Sequence, residues 1–197
     1  FYARWPATDG GKKTMSDEKN GLIVEAVRKC LAEQEWDYRE ASGDNFATFG
    51  GDDDCVLFTF GMESVDEVRW MVRIVVREAQ NQMVVYSSLD DNPYPHDRQE
   101  QIMILASEMT ARSIVGGWYP DLHDRTATFK LGVGLGGPLD WGGVRLHLDA
   151  TAVNRLVHDA IITNMTTVNQ WASTFIRVAT GECEVDELEL DNWGVEE

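Results

Sequence analysis

Leu22, Ile23, Ala26, Val27, Cys30 and Leu31 recur at intervals of three and four, with Glu25, Arg28, Lys29 and Glu33 between them. That spacing lays one apolar stripe along a helix, predicted from Ser16 or Asn20 to Gln34. Trp36 and Tyr38 lead into the turn signal Ser42-Gly43-Asp44-Asn45. Two short runs follow, Phe46 to Phe49 and Cys55 to Phe60, joined by Gly50-Gly51-Asp52-Asp53-Asp54. Aromatic and β-branched residues flanking a Gly/Asp connection predict a β-hairpin. The clearest strand comes next: Val68, Trp70, Val72, Ile74 and Val76 fall on one face, and Arg69, Met71, Arg73, Val75 and Arg77 on the other. After a turn at Gln80-Asn81-Gln82, Met83 to Ser88 reads as its partner strand.

Asp90 to Pro95 holds two prolines and breaks regular structure before a central helix. Asp97 is the expected N-cap of that helix, and Glu100 three residues on suggests a capping box. Ile102, Leu105, Ala106, Met109 and Ser113 line one side, and Met103, Thr110 and Ile114 widen it, so burial on more than one side is expected. Gly116-Gly117 is the expected stop, and Trp118 to Arg125 reads as a polar loop. Ala127, Phe129, Leu131 and Val133 then alternate with Thr126, Thr128 and Lys130 as a strand; Val144, Leu146 and Leu148 alternate as its expected antiparallel partner. From Val153 to Ala179, apolar residues step by three or four over nearly thirty positions. One long helix fits, and so do two with a bend near Asn164 to Asn169; Gly181 ends the pattern.

The resulting order, α-β-β-β-β-α-β-β-α, groups strands between helices without regular alternation. It predicts an α+β fold, an antiparallel sheet with flanking helices, in one domain over residues 15–181. Phe1 to Thr14 is irregular and Met15-Ser16-Asp17-Glu18 resembles a natural start, so residues 1–14 are set apart as a leader.

Charge narrows the function classes. The chain carries a formal −17, of which −8 lies in an acidic tail, residues 182–197, that has no Lys or Arg. Such a balance opposes binding to nucleic acid or an anionic membrane, both of which need clustered cations. No apolar run reaches the ~20 residues of a membrane helix. Cys30, Cys55 and Cys183 are odd in number and far apart, with neither a disulfide framework nor metal-ligand spacing. A cytoplasmic protein with no cofactor and no metal is expected.

Three patterns bear on chemistry. Gly132, Gly134 and Gly137 match the spacing of a dinucleotide-binding loop, but Pro138 to Gly143 leads toward another strand, and that loop needs a helix N-terminus. Asp121, His123 and Asp124 set carboxylates beside an imidazole, next to Trp118, in the expected loop. They could form an acid–base or ligand site, although Asp and His also serve ordinary turns. Arg69, Arg73 and Arg77 recur every four residues on one strand face. They either pair with local carboxylates across the sheet, or form a docking strip for an acidic segment of a partner or of the tail.

The helix–sheet–helix order, Asp97-Arg98-Gln99-Glu100 through Met109, the Gly-Trp-Tyr-Pro-Asp stretch at Gly117 to Asp121 ahead of the Phe129 strand, and the closing Val178-Ala179-Thr180-Gly181 together resemble the YbjN family. The resemblance covers about Leu22 to Gly181. It implies a fold like that of type III secretion chaperones and a non-enzymatic, chaperone-like regulator, often a homodimer, that binds a protein or peptide partner. No catalytic residues carry over from it. The alternative is an enzyme or small-ligand binder using the Trp118–Asp124 loop.

Overall fold

A computed structural model describes residues 21–42, 55–64, 67–89, 93–135 and 149–188. Helix α1, Leu22–Glu33, buries Ile23, Val24, Ala26, Val27, Cys30 and Leu31, the stripe its periodicity predicts. The expected earlier start at Ser16 or Asn20 lies outside the described residues. Its N-terminus has no side-chain cap of its own. Instead the Glu78 carboxylate accepts from Ile23 N–H at 3.0 Å and Val24 N–H at 3.3 Å. A distant turn thus satisfies two of the amide donors that every helix start leaves open.

Six antiparallel strands form one sheet: β1 Arg39–Ser42, β2 Cys55–Glu63, β3 Arg69–Arg77, β4 Gln82–Ser88, β5 Gly117–Asp121 and β6 Thr126–Gly134. Their spatial order is β1-β2-β3-β4-β6-β5. The α+β class and the element order agree with the sequence reading. Two of the strands do not come from where it placed them. β1 is a short polar segment with no apolar alternation, and it pairs Arg39 with Thr59 and Ser42 with Val56. Arg28 on α1 steadies it, bonding Glu40 through Nε at 3.1 Å and through a terminal nitrogen at 2.6 Å. The expected strands at Phe46 to Phe49 and at Val144 to Leu148 lie outside the described residues. β5, in turn, occupies much of the expected Trp118 to Arg125 loop and pairs with β6 from Gly117↔Lys130 to Asp121↔Thr126.

Helix α2, Gln99–Arg112, differs from expectation in three ways. Asp97 does not cap it: a 3-10 turn at His96–Arg98 intervenes, and the N-cap position falls to Arg98, which makes no capping bond. Burial is confined to Ile102, Leu105, Ala106 and Met109, one stripe rather than two, because α2 lies against the β5 end of the sheet, where Met103 and Ile104 face outward. Ser113, not Gly116-Gly117, closes it: its hydroxyl donates to Met109 O at 2.8 Å, and Gly117 already belongs to β5.

Helix α3, Ala150–Thr180, is a single element of 31 residues, the first of the two alternatives that its periodicity leaves open. Asp149 caps its start, accepting from Ala152 N–H at 2.7 Å. Gly181 ends it in the left-handed region at φ 77°, as the sequence predicts. The main core joins α1, α2 and α3 to the sheet face bearing Phe58, Phe60, Trp70, Val72, Ile74, Val85, Phe129 and Leu131. Alternation sends the other residues of each strand to the opposite face.

Candidate functional site

The sequence-predicted residues divide between two places. Trp118 is buried, its ring 4.3 Å from that of Phe175 and 5.4 Å from that of Phe129. Its backbone is fixed by Thr110, whose hydroxyl accepts from Trp118 N–H at 2.8 Å. Asp121, His123 and Asp124 stand on the exposed β5–β6 turn. Asp121 Oδ1 accepts from the backbone N–H of His123 at 2.8 Å and of Asp124 at 3.0 Å, an Asx turn. Those bonds, Asp124's foremost, hold its carboxyl below the ordinary aspartate range. Trp118 therefore faces the core while Asp121 is committed to the turn, and they do not converge on one cleft. Among the described residues, no three His, Cys, Asp or Glu side chains stand close enough to share a metal ion. Gly132 and Gly134, the first two glycines of the nucleotide-loop spacing, lie within β6 opposite Val84 and Gln82, so they belong to a strand instead of a phosphate-cradling turn.

Arg69, Arg73 and Arg77 occupy the sheet face turned away from the helices. Arg69 Nε lies 3.3 Å from Glu63 Oε2 on β2, the cross-strand pair expected of that spacing. Arg73 donates to Ser88 Oγ at 3.2 Å, and Ser88 Oγ lies 2.8 Å from Thr128 Oγ1. Strand register adds what linear spacing could not show. Arg39↔Thr59, Thr59↔Arg73, Arg73↔Tyr86, Tyr86↔Lys130 and Lys130↔Gly117 are successive partners, so Arg39, Arg73 and Lys130 lie in one row across the sheet. Strands stand ~4.8 Å apart, so the backbone positions of successive members of the row lie ~9.6 Å apart. Lys130 Nζ sits 5.5 Å from the centre of the Tyr86 ring, holding both side chains over the middle of the face. Five cations, Arg39, Arg69, Arg73, Arg77 and Lys130, thus share a described face with two carboxylates, Glu63 and Asp121. The whole chain has the reverse balance, 34 acids to 17 bases.

A second surface was hidden by the expectation that α2 is buried on two sides. Of eight exposed large hydrophobic residues among those described, six lie between Met103 and Leu122: Met103, Ile104, Ile114, Val115, Tyr119 and Leu122. They follow α2, the turn after it and the β5–β6 hairpin. The hairpin tip returns to the start of α2, where the Tyr94 hydroxyl donates to Asp121 O at 3.0 Å. Ile114, 99 % exposed, falls in the turn beyond the helix end and not on the widened apolar side of the helix that the sequence predicts.

Cys30, Cys55 and Cys183 are free and buried, and no helix among the described residues is long and apolar enough to cross a membrane. Compared with family models, with curated proteins and with solved structures, the chain matches none.

Proposed function

We propose that this chain is a non-enzymatic protein-binding module, chaperone-like and regulatory in the sense that the YbjN resemblance implies, and that it acts in the cytoplasm. The observation that carries the reading is the gathering of Met103, Ile104, Ile114, Val115, Tyr119 and Leu122 at the α2–β5 end. Apolar surface left in water costs about 25 cal/mol per Å², and a patch gathered at one end regains that free energy when a partner covers it. The same side chains scattered singly would carry no such meaning. A second copy of the chain or a different protein would satisfy the patch equally well in energetic terms.

The test is a photo-crosslinking residue at position 114, which projects fully into solvent. Irradiation in an extract of the native cell should give a discrete adduct with a protein, either a second copy or another chain. Ile104→Asp, on the same surface, should abolish the adduct while leaving the unfolding midpoint in place. A diffuse background without a discrete species, or an adduct indifferent to Ile104→Asp, would sink the reading.

A further inference from the structure

We propose that the row Arg39–Arg73–Lys130 on the sheet face turned away from the helices is a docking track for an acidic peptide segment of a partner protein, one with a carboxylate at about every third residue. The inference concerns the sheet face, which meets the α2–β5 patch only at Tyr119, opposite Thr128, and it stands independently of that patch.

Charge and spacing carry the assignment. The described residues of the face reverse the charge balance of the chain, and their cations are ordered by strand pairing, not scattered over loops. Alternate strands set their Cα atoms ~9.6 Å apart, within reach of side chains as long as Arg and Lys. A peptide in the polyproline II conformation rises ~3.1 Å per residue with three residues per turn, so every third side chain points the same way at ~9.3 Å intervals. Carboxylates at that period meet Arg39, Arg73 and Lys130 in turn. The side chains between the cations are Thr59 and Tyr86. They supply hydroxyl donors for carboxylate oxygens.

Access to the track is open along β6. A side chain built at Gly132 or Gly134 would meet nothing within 4 Å, and Gly132 is two residues from Lys130 on the same face. The bonds Arg39, Arg69 and Arg73 already make do not count against docking: the exposed Arg69–Glu63 pair is individually weak, and a guanidinium has further N–H donors for an incoming carboxylate. The net charge of −17 does not forbid it either. At physiological salt the Debye length is ~8 Å, so a peptide in contact with the row feels its cations far more than the distant acids. Single-stranded nucleic acid fits the face less well, because it relies on aromatic stacking platforms and the Tyr86 ring lies beneath Lys130.

The experiment is fluorescence anisotropy of the full chain with a labelled peptide of Glu-Thr-Thr repeats. It is run beside a peptide of the same composition with its glutamates in one block, and beside a labelled single-stranded oligonucleotide. The repeat peptide should bind more tightly than the blocked one and the oligonucleotide, and more weakly as salt rises. Lys130→Glu and Arg73→Glu should each weaken it by about tenfold, the scale of one lost charge-assisted contact. Gly132→Glu, which sets a carboxylate beside the row in open space, should do the same even if the Arg73 variant folds poorly. Arg155→Glu, exposed on α3, should change nothing. Equal affinity for repeat and blocked peptides, tighter binding of the oligonucleotide, or indifference to Gly132→Glu would overturn the assignment. A further outcome would also overturn it: if neutralising Glu189, Asp191, Glu196 and Glu197 in the full chain markedly tightened peptide binding, the track would belong to the chain's own C-terminal segment.

Discussion

Ser87 on β4 and Asn164 in the middle of α3, 77 residues apart, are joined inside the core: the Ser87 hydroxyl donates to Asn164 Oδ1 at 2.5 Å. Asn164 Nδ2 in turn donates to Val85 O at 3.2 Å. The orientation of the amide follows from chemistry, since the carbonyl of Val85 can only accept, which leaves Oδ1 for the hydroxyl. Both side chains are fully buried. The pair fixes where along its length α3 crosses the central strands. A buried polar group left without its partner costs about 1–3 kcal/mol. Asn164→Ala and Ser87→Ala should each destabilise the fold on that scale in urea unfolding. With Asn164→Leu as the second single, the double variant Ser87→Ala/Asn164→Leu should cost less than the sum of Ser87→Ala and Asn164→Leu, because no unmatched polar atom then remains on either side chain. Strict additivity would show that the two residues do not act as a pair.

This contact also marks where the sequence stops short. Reading along the chain, Asn164 interrupts an apolar stripe and leaves one helix or two with a bend equally open; in the fold its polar atoms are satisfied from β4, and α3 is continuous across it. Local periodicity identified α1, β3, β4, β6 and α3, because each buries one regular stripe or one strand face. It failed where structure depends on partners distant in sequence. β1 has almost no apolar signal and is held by Arg28 and by its register with β2. Gly117 to Asp121 looks like a loop until Phe129 is there for Trp118 to pack on. The arginine column of β3 was visible as a four-residue spacing. The crossing row was not, since Arg39, Arg73 and Lys130 belong to three strands that only pairing brings into line.

The capping of α1 by Glu78 yields a second expectation. Gly21 is the N-cap residue, and a Cβ built there would overlap the Glu78 carboxyl group. Gly21→Ala should therefore push the carboxylate off the amides of Ile23 and Val24, and Glu78→Ala should remove it. Each should cost about 1 kcal/mol, the usual scale of a lost cap with a favourable dipole contact. Combining them should cost little more than either alone, because the same two bonds can be lost only once. Urea midpoints at constant m-value provide the measurement. A fully additive double variant would mean that Gly21 acts through backbone freedom alone.

Cys30 supplies a prediction at alkaline pH. Burial, with a smaller contribution from Glu33, pushes its thiol up to about 11 from an ordinary value of 9.0. A folded-state value raised above the unfolded one gives stability that is present below pH 9.0 and lost as pH rises through about 11. In the native protein at mildly alkaline pH, iodoacetamide should leave Cys30 unmodified, and the same reagent in urea should label it. Peptide mapping reads both outcomes. Rapid native labelling of Cys30 would contradict its burial under α3. Cys30→Ala should remove this residue's share of the alkaline loss of stability and leave the neutral fold intact.

At the acidic end the relevant group is Asp121, whose Oδ1 closes the β5–β6 turn beneath the exposed Leu122. Its folded-state value lies below the ordinary aspartate value of 3.8, first through Asp124 N–H and then through His123 N–H. The sign follows directly: the stabilisation is present above 3.8 and is lost as pH falls through the lowered folded-state value. Asp121→Asn keeps an acceptor oxygen for both amides, so it should stay near the parent stability at neutral pH while losing this part of the acid dependence. Asp121→Ala should lose the turn bonds at every pH, at about 0.5–1.5 kcal/mol for bonds of this kind. Amide exchange at His123 and Asp124 separates the cases: protection at neutral pH should survive in Asp121→Asn and vanish in Asp121→Ala. If protection survived in both, the turn would be held by β5–β6 pairing alone. The position of Leu122 within the apolar surface would then owe nothing to Asp121.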